Sequence, residues 1–190
     1  LLAGHETTAN ALTWTWYELA RDPRTYEVLR AEIAALGGRR VTLDDLPLLP
    51  YNLAVVEETL RLHPPAYMLG RLCARDFTLA GHTFPKGSIL TVNVRGIHRR
   101  ADYYPDPDAF APERWLGDAK KHRPRERYLP FGAGPRVCIG QHFALLEAQL
   151  ALATMIQKVK LRRPSPAPVA SDPQITLRPK GGMPMIVGAA

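Results

Sequence analysis

The residues best suited to chemistry gather in three short segments. The first is Phe131-Gly-Ala-Gly-Pro-Arg-Val-Cys-Ile-Gly140. Glycines at 132, 134 and 140 let the backbone turn tightly and come close to a flat object. Cys138 stands immediately before an apolar stretch at 140–158, and the positive end of a helix there favours negative charge on its sulfur. A thiolate held rigidly suits a metal ion, and Arg136, two residues earlier, can pair with a carboxylate. Taken alone, a free cysteine is most often a small core residue, so residue type leaves both roles open.

The second segment is Glu58-Thr-Leu-Arg61, an i, i+3 pair on one helical face. In water such a pair is worth ~0.2–0.5 kcal/mol. It sits between Val56 and Leu60 on a stretch closed by Leu62-His-Pro-Pro, and Pro112-Glu-Arg-Trp115 later brings Arg114. The third segment is Ala3-Gly-His-Glu-Thr-Thr8, where Glu6 adjoins Thr7 and the small Ala3 and Gly4 leave space. An acid beside two threonines on a helix is ordinary by itself. Arg71 follows the Pro64-Pro65 break, and Cys73 fits no ligand spacing and reads as core.

Helices must position these groups. Residues 1–20 read as the end of a helix, stopped by Asp22-Pro23, and 24–36 as a second, with Val28, Leu29, Ile33 and Leu36 at helical spacing before Gly37-Gly38. Thr42 with Asp44-Asp45 opens a short helical turn. Pro50 begins a third helix over 50–62. Phe77–Phe84 around Gly81, and Ser88–Val94, read as short strands. Residues 100–138 carry proline, glycine and charge without periodicity, a long irregular segment of the kind that marks function. The 140–158 helix is apolar on most faces and predicts burial, and the tail from 159 reads as short strands broken by proline.

Composition bounds the rest. The 190 residues are 46% apolar and 23% charged, which fits one globular domain or a piece of one and excludes wholesale disorder. No run reaches the ~18 apolar residues of a membrane span. Two cysteines make no disulfide scaffold. The chain opens Leu-Leu-Ala, with no Met and no basic-then-apolar leader, and reads as cut from something longer. Its net charge is +7, yet residues 1–117 net −1 and residues 118–190 net +8. No recognised nucleic-acid module or aromatic-interleaved basic stripe accompanies that excess.

Phe131, Gly134, Arg136, Cys138 and Gly140 resemble the heme-binding signature of cytochrome P450, the heme-thiolate monooxygenases. Glu58 and Arg61 with Arg114 look like the family's Glu-x-x-Arg helix and its Pro-Glu-Arg partner. Ala3-Gly-His-Glu-Thr-Thr8 resembles its oxygen-activation motif. The resemblance runs through nearly the whole chain, in the family's order. It implies a fold that is mainly α with small β-sheets, residues 1–190 being the C-terminal half of a single P450 domain. It also implies that Cys138 is the axial ligand of heme b, with Phe131, Gly134, Gly140, Ala3 and Gly4 shaping the cofactor's surroundings. Arg136 and Arg71 are implied to hold propionates, and Glu6 and Thr7 to assist oxygen activation. Glu58, Arg61 and Arg114 would form a buried network beneath the heme. Residues 65–69 and 181–184 match stretches that line the family's substrate pocket.

The implied reaction inserts one atom of dioxygen into a small apolar substrate, with electrons from NAD(P)H through a flavodoxin, ferredoxin or reductase domain. The Tyr103-Tyr-Pro-Asp-Pro-Asp and Pro-Glu-Arg-Trp wording leans toward members that hydroxylate fatty acids or similar long molecules. The basic run Lys120, Lys121, Arg123, Arg125, Arg127 and Arg136, against Asp118 and Glu126, leads into the thiolate loop and reads as a docking field for an acidic electron donor. A heme-thiolate isomerase or peroxygenase is the rival within the family, which Glu6 and Thr7 argue against. A catalytically inert truncated fragment is the rival outside it. The family's other half would carry most substrate-recognition loops, so the 190 residues alone are expected to aggregate or to hold heme loosely.

Overall fold

Capping chemistry sets the order of the helices in the computed structural model, which describes residues 2–118 and 123–189. Helix α1 covers Leu2–Arg21. Asp22 does more than stop it: its carboxylate accepts the Thr25 N–H at 3.1 Å, and Pro23 fills the first position of α2, Pro23–Ala34. The Thr42 turn forms as a 3-10 segment, Leu43–Leu48, closed by Asp45 accepting the Thr42 N–H at 2.8 Å. Helix α3 covers Pro50–Leu62, the bounds the prolines predict. Its N-cap residue, Leu49, offers no side-chain acceptor. Glu32 of α2 substitutes, accepting the Tyr51 and Asn52 N–H groups at 2.7 and 2.8 Å.

Strand β1, Met68–Leu72, pairs antiparallel with β4, Ile89–Asn93, and the hairpin β2–β3, Phe77–Leu79 with His82–Phe84, lies between them in sequence. A one-turn helix, α4, follows at Val94–Ile97, and α5 covers Gln141–Ile156. The tail supplies β5 (Val159–Arg162), β6 (Ser171–Pro173), β7 (Leu177–Pro179) and β8 (Ile186–Ala189). These pair as β5–β8 and β6–β7, which makes four two-stranded sheets among the described residues. The chain is mainly α-helical with small β-sheets. No helix among the described residues is long and apolar enough to cross a membrane.

The core lies where α1, α2, α3 and α5 meet, with Trp16, Leu29, Ile33, Val55, Val56, Leu152 and Ile156 all buried. Asn52 ties α3 to α5 by donating to the Gln149 carbonyl at 3.0 Å. Trp14 ties α1 to β7 through the Leu177 carbonyl at 3.2 Å and stacks on His63 with ring centres 4.1 Å apart. Helix α5 departs from its expected burial. Its second half is buried, but Phe143 is 70% exposed and Leu146 is 41% exposed. A helix apolar all round needs cover on every side, and the described residues cover only the half that meets the core.

Candidate functional site

The irregular segment 100–138 is held by one carboxylate and one guanidinium. Glu58 and Arg61 are both fully buried. Arg61 Nε and Nη2 donate to the two Glu58 oxygens at 2.8 Å each, a bidentate pair. The remaining Arg61 donors go to the carbonyls of His98 at 2.9 Å, Pro107 at 2.6 Å and Ala109 at 2.9 Å, so every guanidinium N–H is used. Glu58 accepts the Ala111 N–H at 2.9 Å and the Trp115 indole N–H at 2.8 Å as well. Arg114 completes the group, its Nε 3.5 Å from Glu58 and its Nη2 donating to the Asp106 carbonyl at 2.9 Å. A buried pair gains little over apolar packing, but removing one partner strands a charge, which costs about 3–5 kcal/mol.

Residue spacing had not flagged His98. It is fully buried, accepts the Leu129 N–H on Nε2 at 2.7 Å and donates from Nδ1 to the Arg61 carbonyl at 3.1 Å. Leu129 fixes the tautomer, because a backbone N–H can only donate. Burial pushes the His98 pKa down to about 4, with the Arg61, Arg123 and Arg99 charges adding to the effect. The imidazole therefore bolts the end of α3 to the residues just before Phe131. Tyr128, beside it, donates to the Glu57 carbonyl at 3.0 Å, and burial raises its pKa well above the ordinary value.

The Cys138 segment is built from backbone. Gly132 and Gly134 take φ of +74° and +71°, a region an L side chain resists. The Cys138 N–H donates to the Phe131 carbonyl at 2.9 Å and closes the loop on itself. Gly140 follows as the N-cap of α5. Phe131, Gly134, Arg136, Cys138 and Gly140 are thus brought together on one turn. The Cys138 thiol is exposed, whereas Cys73 is buried at 8% exposure. Val137, Ile139 and Phe143, close to Cys138 along the chain, are exposed as well. Strand β1 passes close by: a Cβ on Gly132 would lie 3.5 Å from Leu69, and Arg71 follows two residues along the same side of the strand.

The residues around Cys138 suit a flat, largely apolar cofactor that carries carboxylates. An exposed sulfur offers one soft ligand, and no group of three or more His, Cys, Asp or Glu among the described residues could hold an ion by itself. A porphyrin brings four ligands of its own and would need only one more from the protein, which Cys138 could provide. Arg136 has no hydrogen-bond or ion-pair partner among the described residues, and Arg71 donates only to its neighbour's carbonyl, Gly70, at 2.8 Å. Both can therefore take a carboxylate.

Ala3, Gly4, Glu6 and Thr7 share the first turns of α1. Thr7 donates to the Ala3 carbonyl at 2.7 Å, and a Cβ on Gly4 would touch nothing within 4 Å. Glu6 is not hydrogen-bonded to Thr7. Its Oε1 instead accepts from Thr176 at 2.6 Å and Arg178 at 2.9 Å, partners that no local pattern in the sequence could have shown. Of the basic run, Lys120 and Lys121 lie outside the described residues. Arg123 is spent on rings, 4.0 Å from Trp115 and 4.6 Å from Tyr128, and Arg127 lies 4.7 Å from the Tyr103 ring. Arg125 and Arg136 are exposed.

The family model for cytochrome P450 matches residues 1–185. The chain belongs to the cytochrome P450 family. It is 40% identical over 187 residues to cyclooctat-9-en-7-ol 5-monooxygenase of Streptomyces melanosporofaciens, covering 98% of this chain and 40% of that protein. It is 38% identical over 188 residues to cytochrome P450 4F5 of Rattus norvegicus and to leukotriene-B4 omega-hydroxylase 3 of Mus musculus, covering 96% of this chain and 36% of each. The chain thus spans about two fifths of the length of these relatives.

Proposed function

We propose that the chain is the C-terminal, heme-b-binding portion of a P450 monooxygenase that oxidises a small apolar molecule. When bound, the heme activates dioxygen so that one atom enters the substrate and the other leaves as water, with electrons from NAD(P)H through a flavodoxin, ferredoxin or reductase domain. Cys138 would supply a sulfur ligand to the iron, its backbone held by its own N–H on the Phe131 carbonyl. Gly132 and Gly134 keep the loop flat enough for close approach. Arg71 and Arg136 pair with the cofactor's carboxylates. Glu58, Arg61 and Arg114 do no chemistry but fix the segment that leads to the loop. Thr7, whose proton is committed to the Ala3 carbonyl, keeps its lone pairs to accept from a water, and Glu6 relays protons to that water. Arg125, exposed and with no role at the cofactor, presents positive charge to an acidic electron donor.

The observation that carries this proposal is the exposed Cys138 on a glycine turn, flanked along the chain by the exposed Val137 and Ile139. Two relatives' names refer to cyclooctat-9-en-7-ol and to leukotriene B4, which supports an apolar organic substrate without choosing a ring or a chain. The test gives the full-length protein heavy-isotope dioxygen, NAD(P)H, a reductase and a panel of terpenoid and fatty-acid substrates. Labelled product that requires NAD(P)H is expected. Unlabelled product formed from peroxide alone, or isomerised product without oxygen uptake, would overturn the proposal in favour of a peroxygenase or isomerase.

A further inference from the structure

Glu6 is anchored by only one of its two oxygens. Thr176 is buried at 7% exposure, and its hydroxyl oxygen sits between Asn10 Nδ2 at 3.1 Å and Arg178 Nε at 3.4 Å. Both of those are obligate donors, so the Thr176 proton must point the third way, to Glu6 Oε1 at 2.6 Å. Arg178 Nη2 reaches the same oxygen at 2.9 Å. Glu6 Oε2 has no partner among the described residues. The hydrogen-bond directions thus form a closed circuit that saturates Oε1 and leaves Oε2 bare.

We propose that Thr176 and Arg178 are positioning residues that pin Glu6 by Oε1 and turn Oε2 outward as the atom that takes up and hands on protons. This rests on the proposed role of Glu6 in proton delivery. An arriving proton settles on Oε2, because a proton on Oε1 would compete with two donors. Arg178 holds the carboxylate by charge and Thr176 sets its rotation, so the two substitutions have different expected effects. Asn10, one helical turn beyond Glu6, orients the Thr176 hydroxyl from the same helix.

The full-length holoenzyme with its reductase tests this through the fraction of consumed dioxygen released as hydrogen peroxide. That path uses two electrons and two protons per dioxygen and oxidises no substrate, and it gains whenever protons arrive late or at the wrong place. Arg178→Met is expected to raise the fraction several-fold, Thr176→Val to raise it less, and Arg178→Lys to restore most of it. Glu6→Gln combined with Arg178→Met should be no worse than Glu6→Gln alone. A readout independent of turnover is the melting temperature of the wild type, Glu6→Gln, Arg178→Met and their double variant. The Glu6→Gln and Arg178→Met shifts should be non-additive, which shows that the pair exists in solution. If Glu6→Gln raises peroxide while Arg178→Met and Thr176→Val leave it at the wild-type level, the positioning role is wrong. If Glu6→Gln itself leaves peroxide unmoved, the role given to Glu6 fails first.

Discussion

The Glu58–Arg61 network and the Cys138 turn, linked through His98 and Leu129, are built on opposite plans. The network is finished within the chain: each Glu58 oxygen and each Arg61 donor has its partner, all out of water. The Cys138 turn has its backbone fixed and its side chains bare. Side chains that satisfy one another make a support, and side chains left unsatisfied on a rigid backbone make a site. Buried polar groups must be paired inside the protein, whereas a ligand site is defined by what its groups still lack.

Substitutions should separate the two. Arg61→Met takes from buried Glu58 its bidentate partner, leaving only Arg114 at 3.5 Å, and is expected to lower stability by about 3–5 kcal/mol. The denaturant midpoint of the full-length protein should fall accordingly, or folded protein should not accumulate. Cys138→Ala removes no packed partner from the chain itself, and in the heme-free full-length protein it should shift the same midpoint by less than ~0.5 kcal/mol. Equal losses at the two positions would erase the contrast.

Acid should strike the support before the site. His98 has its folded pKa near 4, below its ordinary 6.5, so between those values the unfolded chain binds more protons than the folded one. Stability should therefore be complete above about pH 6.5 and decline as pH falls to about 4, by up to about 3 kcal/mol, then level off for this group. His98→Gln, whose amide can make both hydrogen bonds without titrating, should flatten the slope. His63, which burial also pushes down, adds a slope of the same sign. An unchanged slope in that variant would remove His98 as the bolt between α3 and the Cys138 turn.

Trp115→Phe tests one spoke of the network. It removes the indole donor at 2.8 Å and leaves a buried carboxylate lone pair open, at a cost of about 1–3 kcal/mol. The smallest effect on stability belongs to Arg125→Glu, which should leave melting untouched while slowing reduction by the electron donor and flattening its salt dependence. A reduction rate that does not move would make the exposed charge incidental.

Local patterns in the sequence were legible and distant ones were not. The bounds of α3 follow from Pro50 at its start and Pro64-Pro65 beyond its end. Glu58 and Arg61 could be paired because i, i+3 neighbours share a helix face. The carbonyls that complete Arg61 could not, because residues 98, 107 and 109 come from a segment with no periodicity to place them. His98 gave no signal, since a single histidine among arginines has no spacing to read. Thr176 and Arg178 stand about 170 positions from Glu6, and only the fold makes them neighbours. The uniform apolarity of α5 promised burial, yet apolarity says that a face needs cover and not which residues provide it.

The central claim is that Cys138 is a ligand and not a support. The most direct measurement is the carbon-monoxide difference spectrum of the reduced full-length protein and of its Cys138→Ala variant, both checked by circular dichroism to be folded. The expected result is a thiolate-type Soret band in the parent protein and none in the variant. A thiolate-type band that survives in the folded variant would contradict the assignment.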